Sequence, residues 1–159
     1  MQIIFLEERT GWALHVARRL RAAGHDVLHT DQTAQALQQV RLGSVDLVIA
    51  ALFPLGAASA EETGLTLALA AQFRNPEVVS ILLSDSALFT GGELFEMLFS
   101  LRCVLPHPAP VEDLLAIAGH FLAEGPVDCA PGAAVVDVCG QCLLHEVCAH
   151  ARGQDRLCA

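Results

Sequence analysis

The chain contains no lysine. Its nine strongly basic residues are all arginine and face eighteen Asp and Glu, for a formal net charge of −9. This balance excludes a protein that binds nucleic acid by neutralising backbone phosphates, which needs a basic footprint, and it disfavours an anionic membrane surface. Charged residues are scarce at 17%, whereas 53% are hydrophobic, so the chain is not of the disordered class and can bury a core. No apolar run reaches the roughly 20 residues of a spanning helix, because charge, Gly or Pro interrupts each one. No basic leader or cleavage site precedes the apolar run Gln2–Leu6, and we expect a cytoplasmic protein. There are no internal repeats. Cysteine is nearly absent from most of the chain: of six, Cys103 alone precedes Cys129.

What is present up to about Leu122 alternates strand and helix patterns. Gln2–Leu6 predicts a first strand. Thr10 is placed to cap a helix with Trp12, Val16 and Leu20 on one face, ended by Gly24. His25–His29 predicts a second strand, followed by a helix capped by Asp31, carrying Ala36, Leu37 and Val40 and closed at Gly43. Val45–Leu52 is almost continuously apolar, as expected of a parallel strand buried on both faces. After a loop over Phe53–Thr63 come a helix over Gly64–Phe73, a buried strand over Val78–Leu83, a helix over Glu93–Leu101, a short strand over Cys103–Leu105 and a helix over Val111–Leu122. Five such units imply an α/β fold, a doubly wound parallel five-stranded sheet with right-handed crossovers. In the fourth helix, Leu94, Met97, Leu98 and Leu101 share a face suited to covering the sheet. Phe95 and Phe99 share another strip, which predicts a partner-binding face.

The pattern breaks at Glu124-Gly125-Pro126, dividing the chain into a domain over residues 1–123 and a Cys-rich tail over 124–159. The tail is too short for its own apolar core. Its cysteines follow Cys-x9-Cys-x2-Cys-x5-Cys through Cys129, Cys139, Cys142 and Cys148, with Cys158 as an alternative ligand. CxxC is the shortest spacing by which one tight turn offers two thiolates to a metal. Helical character over Leu143–Arg152 returns Cys148 toward that turn after about one and a half helical turns. Four thiolates satisfy either a 4Fe–4S cluster or tetrahedral Zn²⁺. In a reducing compartment, clustered cysteines are read as metal or redox ligands before disulfides. His145 and His150 lack a finger spacing and are expected to be exposed. Cys103 is expected to be a small buried core residue.

Two resemblances follow. The chain from Met1 to about Leu122 resembles the receiver domain of bacterial response regulators. The likeness is carried by Asp46-Leu47-Val48-Ile49, by Gly64-Leu65 with Asn75-Pro76-Glu77-Val78-Val79 and Ile81-Leu82-Leu83-Ser84, and by His107-Pro108 with Val111-Glu112-Asp113-Leu114-Leu115. It implies the flavodoxin-like strand order 2-1-3-4-5. It also implies a phosphorylation site made of an acidic pair for Mg²⁺, a nucleophilic Asp ending strand three, a hydroxyl after strand four and a Lys after strand five. Glu7 and Glu8 stand at the acidic pair and Ser84 at the hydroxyl. Ala51 stands where the nucleophile belongs and His107 where the Lys belongs. A methyl group cannot form an acyl phosphate, so the resemblance is to a degenerate receiver, with Asp46 and Asp85 as the alternative acceptors. The His107–Pro108 peptide is a candidate for cis. The tail, on its four Cys positions alone, is similar to the 4Fe–4S motifs of WhiB-like proteins and of endonuclease III-type glycosylases.

These readings predict a non-enzymatic, phosphorylation-independent regulatory module. It would bind a protein partner or a second copy through the fourth-helix face, without nucleic acid or membrane, while a 4Fe–4S cluster in its tail senses redox state or oxygen. The alternatives are an iron–sulfur electron-transfer or accessory subunit of a redox enzyme, and a zinc-stapled adaptor.

Overall fold

Five short runs become strands; the three central ones are apolar and buried on both faces once helices cover the sheet, and the two edge strands carry exposed Asp26 and Arg102. In the computed structural model these are β1 (Gln2–Leu6), β2 (Asp26–Thr30), β3 (Leu47–Ala51), β4 (Val79–Ser84) and β5 (Leu101–Pro106). All neighbouring strands pair in parallel, in the order β2-β1-β3-β4-β5. The helices are α1 (Gly11–Ala22), α2 (Thr33–Leu42), α3 (Gly64–Arg74), α4 (Glu93–Met97) and α5 (Val111–Glu124). The structure describes residues 1–53, 63–85 and 93–124. By its contacts the chain divides into units Met1–Gly125 and Pro126–Ala159, and every described residue lies in the first.

Strand alternation sorts the core into two layers. Ile4, Leu6, Val48, Ala50 and Leu82 face one way and pack with Ala36 and Val40 of α2, Leu67, Ala68 and Ala71 of α3, and Leu94 and Leu98. The intervening residues Ile3, Phe5, Leu47, Ile49, Ile81 and Leu83 are buried on the other side. There α1 contributes buried Ala13, Val16, Ala17 and Leu20, and α5 contributes Leu114, Ala118 and Phe121.

Local chemistry sets most element ends. Thr10 caps α1 by accepting from the Ala13 N–H at 3.2 Å. Gly24 ends the turn after α1 at φ +90°, a conformation glycine adopts without strain. Thr63 caps α3, its Oγ1 accepting from the Thr66 N–H at 3.2 Å. Asp31 does not cap α2. The cap position is Gln32, which makes no side-chain capping bond; Thr30 Oγ1 accepts from the Gln32 N–H at 3.1 Å, closing a turn just before the helix, so the entry lies one residue later than Asp31.

The larger correction concerns α4. It ends at Met97, and the chain has already joined the sheet at Leu101, where a continuous helix to Leu101 was expected. Ser100 is the cause. Its carbonyl accepts from the Ser80 N–H at 2.8 Å. Its hydroxyl lies 3.0 Å from that of Ser80, and both serines are buried. Leu101 is therefore the first residue of β5, and Met97 is 54% exposed rather than covering the sheet. Phe95 and Phe99 do not form one outward strip either. Phe95 packs against the core, while Phe99, beyond the helix, is 58% exposed.

Candidate functional site

Parallel strands all present their carboxyl ends at one edge, and open α/β sheets place ligands there. Here that edge gathers Glu7 after β1, Ala51 at the end of β3, Ser84 at the end of β4 and His107 after β5. The register agrees: Leu6 pairs with Ala50, Ala51 with Leu83, and Ser84 with Pro106, so Glu7 follows on beside Ala51.

The acidic pair is divided. Glu8 is exposed, whereas Glu7 is 3% exposed. The Glu7 N–H is tied to the Thr30 carbonyl at 2.9 Å. Its carbonyl lies 3.2 Å from Nε2 of buried His29, and its Oε1 accepts from the Glu8 N–H at 2.9 Å. Its Oε2 faces Nε2 of His107 at 3.1 Å. That approach is close but poorly aligned, and Oε2 is buried with no well-aligned hydrogen-bond donor among the described residues. Burial pushes the Glu7 carboxyl above its ordinary value, and the facing His107 and the Glu8 N–H pull it only part of the way back. Burial likewise lowers the pKa of His29, against the raising effect of its bond to the Glu7 carbonyl.

His107 is held from three sides. Its N–H donates to the Ser84 carbonyl at 3.0 Å, and the following peptide to Pro108 is cis. Its ring meets Trp12 edge-on, with centroids 5.7 Å apart at 78°. Trp12 in turn donates its indole N–H to the Ala109 carbonyl at 2.8 Å and meets Phe5 at 6.0 Å, and Phe5 stacks on His29 at 5.0 Å. A chain of rings thus runs from β2 across β1 and α1 to the turn after β5. Sequence reading placed Trp12 only on a core-facing helix stripe. Its polar indole edge, which seeks a partner when enclosed, was the available signal.

The methyl of Ala51 offers no nucleophilic oxygen. Asp46 precedes β3, at the opposite sheet edge, where its Oδ2 accepts from the Gln2 N–H at 2.6 Å. Across five residues of strand that is about 16 Å from the Ala51 end. Asp85 follows β4 at the correct edge and is exposed. Gly64 packs against this floor so closely that a Cβ there would run into the Ala51 carbonyl oxygen.

Cys103 lies on β5 at 2% exposure as a free thiol, its pKa pushed up to about 12 by burial, so it is a core residue and not a reactive one. Cys129, Cys139, Cys142, Cys148 and Cys158, with His145 and His150, lie outside the described residues. Among the described residues no helix is long and apolar enough to cross a membrane, and no group of three or more His, Cys, Asp or Glu is placed to hold a metal ion.

No family model matches the chain, and no curated protein matches it by sequence. Solved structures do match it in shape. A CheY-like receiver domain protein from Methanospirillum hungatei is 15% identical with a TM-score of 0.64, covering 77% of this chain and 94% of that one. A response regulator from Thermotoga maritima, in complex with Mg²⁺ and a beryllium fluoride, is 15% identical with a TM-score of 0.60, covering 76% and 97%. A response regulator from Burkholderia pseudomallei with a phosphorylated aspartic acid is 20% identical with a TM-score of 0.58, covering 77% and 71%. The fold is therefore the CheY-like, flavodoxin-like one.

Proposed function

We propose that this chain is a signalling module of receiver architecture that acts without phosphorylation of its own third strand, by docking other proteins and without catalysis. One observation carries the reading: Ala51, whose methyl offers no nucleophilic oxygen, ends β3, where the receiver resemblance puts the phosphorylated Asp; of the similar structures, one is described with Mg²⁺ and a beryllium fluoride and one with a phosphorylated aspartic acid. Its neighbouring carboxylate Glu7 is enclosed beside His107 rather than open to a cation. The exposed Glu96, Met97 and Phe99 at α4 supply an apolar and acidic surface for a protein partner.

In the same proposal Cys129, Cys139, Cys142 and Cys148 hold a 4Fe–4S cluster, with Cys158 as a replacement ligand. Four soft thiolates fit such a cluster, and also Zn²⁺. The cluster would supply sensitivity to oxygen or redox state, and its loss would remove the folding energy that metal binding lends so short a tail.

Two measurements test the two halves separately. Incubation with a small-molecule phosphodonor should leave no acid-labile phosphate on the protein; a stoichiometric acyl phosphate at Asp85 or elsewhere refutes the phosphorylation-independent reading. Anaerobic purification followed by iron, sulfide and zinc analysis should give brown protein with about four iron and four sulfide per chain, lost in Cys142→Ser. Colourless protein with one zinc replaces the sensor by a stapled adaptor.

A further inference from the structure

The helices that flank the sheet run antiparallel to its strands, so the last turns of α2 and α3 lie at the edge opposite Glu7 and Ala51. A groove of about 280 Å³ opens between them, lined by Leu37, Val40, Arg41, Ala70, Phe73 and Arg74. Folding leaves two large hydrophobic residues of these helix ends in water: Phe73, on the wall of the groove, is 84% exposed, and Leu42, next to lining Arg41 in sequence, 74%. No other large hydrophobic residue among the described ones is as exposed. Isolated exposed hydrophobes carry little meaning, but two together at an apolar groove mark a contact surface.

Charge says what kind. Arg41, Arg74 and Glu77 are exposed on this rim, and none takes part in an ion pair among the described residues. The turn that joins Arg74 to Glu77 is fixed: the Asn75 side chain donates to the Val45 carbonyl at 2.9 Å and accepts from the Glu77 N–H at 3.1 Å. The patch therefore presents a protruding ring beside a hollow, and a cation three residues from an anion. A two-fold contact needs one surface to carry both halves of a shape and both signs of charge, and this surface does. It also gathers two of the chain's nine arginines, so two chains of net charge −9 meet here with little local repulsion.

We propose that this α2–α3 face docks a second copy of the chain in an isologous dimer, the Phe73 of each copy filling the groove of the other and the Arg74 of each pairing with the Glu77 of the other. The inference uses neither the α4 surface nor the tail, and it stands or falls apart from the function proposed above.

Sedimentation velocity of the full chain over a wide concentration range tests it. Wild type should pass from monomer to dimer with rising concentration. Phe73→Asp, at a site too exposed to unsettle the fold, should weaken the dimer by at least about 30-fold, the loss expected for an anchor of an interface. Arg74→Glu and Glu77→Arg should each weaken it, and R74E with E77R in one chain should restore it, because both copies then carry the exchanged pair. A monomer at every concentration overturns the proposal. So does a dimer indifferent to F73D, or one broken by Phe99→Asp, or a double exchange that fails to restore what the single ones lost.

Discussion

Replacing Glu7 by Gln should stabilise the folded domain at neutral and alkaline pH and leave it unchanged in acid. The carboxyl is 3% exposed, with Oε2 lacking a well-aligned donor, and its pKa is raised chiefly by burial. Below the ordinary value of 4.5 the group is protonated in both the folded and unfolded chain, and its burial then costs little. As pH rises past that value the unfolded chain ionises first, so stability is lost until the folded carboxyl ionises as well. Gln keeps the shape of the protonated acid and cannot ionise. The gain at pH 8 should be about 1–2 kcal/mol, the usual cost of a buried acceptor left unpaired, or roughly 3–8 °C in Tm for a unit of this size. Thermal melts of both proteins from pH 4 to pH 8 read the difference, which should be near zero at the acid end and grow with pH. A carboxyl resonance titration of Glu7 reads the same proton directly. If E7Q melts lower than wild type at pH 8, the contact with His107 outweighs burial and the reasoning fails. His107→Ala supplies the complementary sign: without the facing imidazole the Glu7 pKa should rise further, and the loss of stability with pH should steepen.

The remaining expectations concern how the site is built. Gly64→Ala should cost about 1–3 kcal/mol, since the added methyl meets the Ala51 carbonyl, a backbone atom that cannot move aside cheaply; unchanged denaturant unfolding would show that α3 is not seated as described. Trp12→Phe leaves the buried Ala109 carbonyl without its donor and should cost about 1–2 kcal/mol by far-ultraviolet circular dichroism in urea. The Cys103 thiol, buried and with its pKa near 12, should resist maleimide at pH 8 until the domain is unfolded, as peptide mass spectrometry will show; rapid labelling of the folded chain would contradict its placement in β5.

Much of the architecture was legible because it depends on short-range patterns. The uninterrupted apolar run around Leu47–Ala51 announces a strand buried on both faces, and the strand order followed from the receiver resemblance. The α4–β5 boundary was not legible. Met97 to Leu101 continues a helical stripe, and only the pairing of Ser100 with Ser80, twenty residues away, ends it. The entry to α2 was not legible either: Asp31 does not cap it, and a turn closed by Thr30 on the Gln32 N–H precedes the helix, which is entered from Gln32. At the site, the receiver resemblance placed Glu7, Ala51, Ser84 and His107 at one sheet edge, and the strand ends agree. Which glutamate turns inward, and that His107 meets it against Trp12, are tertiary facts with no local trace. The cysteine motif was the most conspicuous local signal, and it falls on residues beyond those described.

Trp12 is the sole tryptophan of a chain that has no tyrosine, and its ring touches His107. The intrinsic emission of the protein therefore comes essentially from one lamp, fixed beside the candidate site. Protonation of that imidazole, opening of the turn after β5 or entry of a ligand near Glu7 would each alter its brightness or colour, so the site carries its own optical readout and can be followed without an added dye.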